Sequence, residues 1–245
     1  MRIYTNAQEM VEEVKRDLAE MGIVVRPVTM QDKYVKGNPD YETKELQNYS
    51  YCLLNARSQD IPGVTQPWAD AEFKERVTDP WERYPDGEPL LEPISLPNFI
   101  NPGEAWKLRE EVWSEYMHDG KLAYTYNELL WNNDQLTKIM NRLKEDPDSR
   151  QLWISLWNPN KDPDFLGGVS RVPCSLGYGL QVRDGKLNLH YVMRSCDFVT
   201  HFRNDVYLAI KFLEWVAEKT GYPVGDFTHT MFSCHVYNKD IQGVF

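Results

Sequence analysis

The chain predicts an α+β fold, a single domain over residues 1–245 in which a mixed, mainly antiparallel sheet carries helices packed against it. Three observations predict it. Two alternating stretches, 174–183 and 187–194, meet at Asp184-Gly185, a dipeptide suited to a two-residue hairpin turn. Apolar residues keep helical spacing over 7–21 and 204–219. Hydrophobic residues make up 42% and aromatic residues 13% of 245 positions, enough for one sizeable core.

From the N-terminus, Met10, Val11, Val14, Leu18 and Met21 give the first helix, with Asn6 as N-cap, Glu9 three residues on and Gly22 as its end. Leu46, Tyr49, Leu53 and Leu54 predict a second helix over 41–54. Residues 56–103 hold eight of the fifteen prolines, which break helices and ladders alike, so a long irregular insertion is expected there. Helices are expected over 103–117 and 134–145, then a buried strand at 150–157 and the hairpin. In the helix at 204–219, Val206, Ala209, Ile210, Leu213 and Val216 face inward, and a last strand covers about 227–237.

The formal charge of −10 argues against non-specific binding to nucleic acid or an anionic membrane, although a few arginines can still bind a phosphate locally. No apolar run approaches the roughly 20 residues that span a bilayer, and the N-terminus lacks a signal-peptide core. Cys52, Cys174, Cys196 and Cys234 are scattered without ligand spacing. They read as reduced thiols of a cytoplasmic protein with no metal site.

Individual residues leave their roles open. Cys174, after Pro173, is either a packed thiol or a nucleophile favoured by Arg171 and the arginines of "RSCDFVTHFRND". Arg194 with Ser195, and Arg150 opening its strand, suit either a phosphate or a surface ion pair. His235 and Tyr237 share one strand face, as core filling or as ligand contacts.

Taken in order, "DPDSR" (146–150), "LWN" (156–158), "VPC" (172–174), "DGKL" (184–187), "RSCD" (194–197), "GDF" (225–227) and "HVY" (235–237) resemble the thymidylate synthase family. That family includes pyrimidine nucleotide hydroxymethylases, and the pattern is most similar to the phage deoxycytidylate (dCMP) hydroxymethylases. Upstream, "YETKELQNY" resembles the helix supplying a conserved glutamate, here Glu45; "VWSEY" resembles a folate-lining segment, here Trp113; and "TYN" resembles the tyrosine segment beside the nucleophile, here Tyr126. The resemblance implies a homodimer in the cytoplasm (a host cytoplasm if the source is viral). Its substrate would be a pyrimidine deoxynucleoside monophosphate, and its co-substrate 5,10-methylenetetrahydrofolate. Cys174 would add to C6, Glu45 and Tyr126 would manage protons, and Arg194, Ser195 and a partner-derived Arg150 would hold phosphate. His235 and Tyr237 would contact the sugar, Asp197 would face the nucleotide and the folate, and Trp113 and Glu45 would border the folate.

The family's base-reading asparagine stands 11 residues after the arginine of RSCD, which in this sequence is Asp205. A carboxylate accepts from the cytosine N4 amino group but opposes uracil O4, so Asp205 favours dCMP over dUMP. Aspartate also caps helices well, as does the adjacent Asn204. The expected activity is therefore formation of 5-hydroxymethyl-dCMP for DNA modification. Its alternatives are a dUMP hydroxymethylase, a thymidylate synthase, a CMP hydroxymethylase, or a non-catalytic nucleotide-binding relative. Departures from the family pattern are Gln151 where a second phosphate arginine is usual, His201 in place of glycine, Ser175 in place of histidine, and a short segment after Tyr237.

Overall fold

A computed structural model of the chain describes residues 1–79, 104–117 and 122–245. The first elements are β1 (Arg2–Tyr4), α1 (Ala7–Met21), β2 (Ile23–Val25), β3 (Thr29–Met30), β4 (Lys33–Tyr34) and β5 (Thr43–Leu53). Then come α2 (Trp68–Val77), α3 (Glu104–Ser114), α4 (Tyr126–Trp131), α5 (Gln135–Glu145) and β6 (Trp153–Ser155). The hairpin strands β7 (Ser175–Arg183) and β8 (Lys186–Met193) follow, then β9 (Cys196–Asp197), α6 (Phe202–Thr220), β10 (Val224–Tyr237) and α7 (Asn238–Ile241).

One sheet runs in the order β1-β5-β10-β8-β7-β6, with β2 beside β5 and β9 beside β10, while β3 and β4 form a separate small hairpin. The β5–β10, β7–β8 and β6–β7 pairs are antiparallel; β10–β8 and β1–β5 are parallel. The fold is the expected α+β architecture with a mixed sheet. α6 supplies most of one covering layer, burying Phe202, Val206, Ala209, Ile210, Leu213 and Val216 against the sheet. Each such side chain contributes roughly 1.5–3 kcal/mol of apolar burial. The opposite sheet face leaves Trp153 (46%) and Phe232 (49%) exposed. No helix among the described residues is long and apolar enough to cross a membrane.

Local chemistry explains most boundaries. Asn6 Oδ1 accepts from the Glu9 amide at 3.0 Å and starts α1. Gly22 ends it with an ordinary negative φ of −62°; glycine is needed there because a Cβ would sit 2.5 Å from the Leu18 carbonyl. Asp184 (φ 50°) and Gly185 (φ 72°) make the hairpin turn.

Two expectations are corrected. Residues 41–54 are a strand, not a helix: β5 pairs along its length with β10. Asn48 has φ +51° and is skipped in the ladder, and the buried side changes phase across it, from Leu46 to Tyr49, Tyr51 and Leu53. That phase change gives a strand the three- and four-residue spacing of a helix. The insertion at 56–103 is not irregular throughout, because α2 occupies Trp68–Val77; residues 80–103 lie outside the described ones.

Two outcomes are expected. Gly177→Ala places a Cβ 2.4 Å from the Ile154 carbonyl and the Trp153 ring, so denaturant unfolding should show a loss on the order of 2 kcal/mol or more; a change under about 0.5 kcal/mol would contradict the packing. His229 is fully buried, with Nδ1 3.1 Å from Tyr51 Oη, and burial lowers its pKa to about 3. It remains neutral in the fold while the unfolded chain takes up a proton below pH ~6.5, so stability falls as pH drops from there toward 3, by up to about 1.4 kcal/mol per pH unit. His229→Gln should flatten that decline in urea titrations; an unchanged slope would contradict it.

Candidate active site

Arg194 closes the hairpin and holds the turn that carries Cys174. Its Nε donates to the Pro173 carbonyl at 2.8 Å and its Nη2 to the Val172 carbonyl at 3.0 Å, while its amide donates to the Cys174 carbonyl at 2.9 Å. Nη2 also reaches Cys174 Sγ at 3.8 Å. Guanidinium has five N–H donors, and none of the described residues takes the two on Nη1. Burial raises the Cys174 pKa against the opposing pull of Arg194, leaving a resting thiol that needs further help to ionise. Cys174 is half-buried, whereas Cys52, Cys196 and Cys234 are buried.

Tyr126 reaches the same place through a capping box. Thr125 Oγ1 accepts from the Glu128 amide and Glu128 Oε2 accepts from the Thr125 amide, setting Tyr126 as the first residue of α4. Tyr126 Oη accepts from Ser175 Oγ at 3.1 Å, one residue after Cys174. The next residue, Asn127, donates to the carbonyls of Glu75, Arg76 and Thr78, closing the end of α2. That contact seats Arg76 4.2 Å from the centre of the Tyr126 ring, with Glu72 on its Nε at 2.7 Å.

Asn204 and Asp205 divide their work clearly. Asn204 is buried and binds Thr65 twice, Oδ1 accepting from the amide at 2.9 Å and Nδ2 donating to Oγ1 at 3.1 Å, so it fixes the approach to α2. Asp205 does not cap α6; its amide makes an ordinary helical bond to His201, and its carboxylate accepts from Cys196 Sγ at 3.9 Å. Burial raises its pKa, with His201 and Arg76 opposing. Cys174, Tyr126 and Asp205 lie near enough to influence one another electrostatically.

Apart from Ser195, the other candidates fall in three further places. On β10, His235 Nδ1 lies 3.2 Å from Ser233 Oγ and its ring 5.0 Å from Tyr237, and the strand pairs with Asp197 on β9. Asp197 Oδ1 accepts from the amides of Val199 and Thr200, shaping the turn into α6. Glu45 sits opposite His235 in the ladder, its Oε2 accepting from Ser233 at 2.5 Å, so it stands beside the histidine and makes no described contact with Tyr126 or Cys174. Trp113, half-buried, is 6.3 Å from Tyr116, and Arg171 packs between them and Tyr124. Ser195 is half-buried beside Arg194. Arg150 is exposed and lines a concavity of about 330 Å³ with Gln151, Gln181, His190 and Thr228.

Two residues at the site escaped the sequence reading. Gln31, in the β3–β4 turn with φ +55°, accepts from the Val172 amide at 3.3 Å and donates to Cys174 Sγ at 3.4 Å. Arg76 lies inside the proline-rich stretch. Neither carries a motif; only the i,i+4 pairing of Glu72 and Arg76 hinted at a helix there.

A family model described as thymidylate synthase matches residues 102–245. A putative thymidylate synthase of Methanosarcina barkeri is 27% identical over 233 residues, 91% of this chain and 94% of that one. One from Methanosarcina mazei is 37% identical over 145 residues, 56% of this chain and 65% of its own length. The thermostable thymidylate synthase A of Bacillus subtilis superposes with a TM-score of 0.70 at 21% identity, covering 98% of this chain and 83% of that one, a likeness of fold.

The thiol geometry predicts that alkylation of Cys174 by iodoacetamide climbs about tenfold per pH unit between pH 7 and 9. Arg194→Ala should slow it further at every pH. A rate already level at pH 7, read by peptide mass spectrometry, would contradict the resting thiol.

Proposed function

The chain belongs to the thymidylate synthase family, and from that premise we propose that it moves a one-carbon unit onto C5 of dCMP, giving 5-hydroxymethyl-dCMP. The co-substrate 5,10-methylenetetrahydrofolate supplies the methylene group. Cys174 ionises under Arg194 and Gln31 and bonds to C6, which makes C5 nucleophilic. C5 takes the methylene carbon; the C5–H proton then leaves toward Tyr126, and the folate nitrogen departs with its bonding pair. Water adds to the exocyclic methylene, and Cys174 leaves C6.

The observation that carries the choice of base is Asp205. Its carboxyl is near enough to Cys174 to act on it electrostatically and is not used as a helix cap. The carboxylate accepts from the cytosine N4 amino group, and burial, which raises its pKa, eases the sharing of a proton between it and cytosine N3. Uracil presents the reverse pattern, with N3–H as donor and O4 as acceptor. An ionised carboxylate facing O4 opposes two acceptors, a mismatch of roughly 1–3 kcal/mol.

The free Nη1 donors of Arg194, with Ser195, would hold the phosphate, and His235 and Tyr237 the sugar. Asp197 borders the nucleotide through the turn it shapes. The half-buried ring of Trp113 beside Tyr116 and Arg171 forms an aromatic, cationic shelf suited to a flat, anionic folate. Glu45 would order water at the His235 end, and Glu72 is the carboxylate paired to the arginine over Tyr126. Arg150 points to a homodimer: it lines the open face of the sheet, away from the groups around Cys174, where a second copy could receive it as a phosphate ligand. A second reading, dUMP methylation, is favoured by the names of the relatives.

Each nucleotide incubated with methylenetetrahydrofolate decides between them by C5 proton release and product mass. dCMP should give a hydroxymethyl product; a methyl product from dUMP alone would reject the proposal. Asp205→Asn should shift the ratio of kcat/KM from dCMP toward dUMP by about tenfold or more, and an unchanged ratio would remove Asp205 from base reading.

A further inference from the structure

A run of buried hydroxyls stands behind Tyr126 that the reading above leaves unused. Ser175 (2% exposed) approaches Tyr126 Oη twice, with its amide at 3.4 Å and its Oγ at 3.1 Å. Ser175 Oγ is also bonded to Tyr191 Oη, and the Tyr191 ring stacks on that of Tyr178. Tyr191 (1% exposed) is held between two flat groups, Tyr178 and His229, each with its ring centre 4.9 Å away.

The polarity of this run follows from its one fixed member. The Ser175 amide can only donate, so the Tyr126 oxygen is an acceptor on that side. Ser175 Oγ has a single proton; giving it to Tyr126 obliges the serine to accept from Tyr191. Every proton in the run then points toward Tyr126, and the tyrosine's own proton is left for the other side, toward the pocket of Cys174. Because Tyr191 is buried, the run ends in the core. It orients a proton and offers no path to solvent.

We propose that Ser175 and Tyr191 are positioning residues for Tyr126: they hold its oxygen as a double acceptor on the core side, leave its own proton facing the pocket, from which it is lost to water, and stabilise the resulting phenolate, which then receives the C5 proton. In that step the C5–H bond breaks, the proton passes to the phenolate oxygen, and the electron pair forms the exocyclic double bond as the folate nitrogen leaves. Arg76, over the Tyr126 ring, favours the same anion. The inference rests on the reading of Tyr126 as the proton-handling group.

The test compares Ser175→Ala, Ser175→Thr and Tyr191→Phe in the full-length protein. Ser175→Ala should lower kcat about tenfold while the nucleotide KM moves less than about twofold, and the limb of the kcat pH profile belonging to Tyr126 should move to higher pH. Ser175→Thr, which keeps the hydroxyl, should restore both, and Tyr191→Phe should show a smaller change of the same sign. In a Tyr126→Phe background, Ser175→Ala should bring no further loss. Ring-labelled tyrosine NMR, without nucleotide, should show Tyr126 titrating at higher pH in Ser175→Ala. That readout survives even if dCMP proves not to be the substrate, so failure of the functional reading is separable. An equal loss of kcat with and without Tyr126, or an unmoved Tyr126 titration, would overturn the proposal.

Discussion

The bond pair from the Arg194 guanidinium to the carbonyls of Val172 and Pro173 is the constraint on which the site depends. A turn containing proline lacks one amide and cannot hold itself by ladder bonds. Arg194 supplies the missing donors from the end of the neighbouring strand, so Cys174 inherits the rigidity of the β7–β8 hairpin. The same guanidinium stands near the sulfur, which ties the position of Cys174 to its ionisation. One side chain therefore does structural and electrostatic work together, and losing it leaves both tasks undone.

The second constraint is helix α2. Asn204 binds Thr65 just before it, and Asn127 receives its last carbonyls. Both asparagines are buried, and each is adjacent in sequence to a residue of the pocket: Asp205 follows Asn204, and Tyr126 precedes Asn127. The helix is thus fastened by the same two segments that carry Asp205 and Tyr126. Arg76 and Glu72 come to lie against Tyr126 as a consequence. Both side-chain amide nitrogens are paired, and leaving such a donor unpaired in the core costs about 1–3 kcal/mol; Asn127 Oδ1 has no hydrogen-bond partner among the described residues.

Much of this was legible in the sequence wherever local rules suffice. The capping of α1 by Asn6, the Asp184-Gly185 turn and the inward stripe of α6 follow from near neighbours. The shared strand face of His235 and Tyr237 follows from a period of two, and the structure adds Ser233 to it. What failed depended on distant partners. β5 read as a helix because Asn48 shifts its phase beside β10, about 185 residues away in sequence. Gln31 reaches Cys174 across a similar distance from a turn that shows no pattern, and α2 was hidden by the prolines around it.

The central claim is a covalent adduct between Cys174 and a cytosine nucleotide. Trapping it with 5-fluoro-dCMP and methylenetetrahydrofolate tests this most directly, since fluorine cannot leave C5 as a proton does. Intact-mass analysis should show a ternary adduct on the peptide carrying Cys174, absent in Cys174→Ser. An adduct formed with 5-fluoro-dUMP and not with 5-fluoro-dCMP would contradict the account.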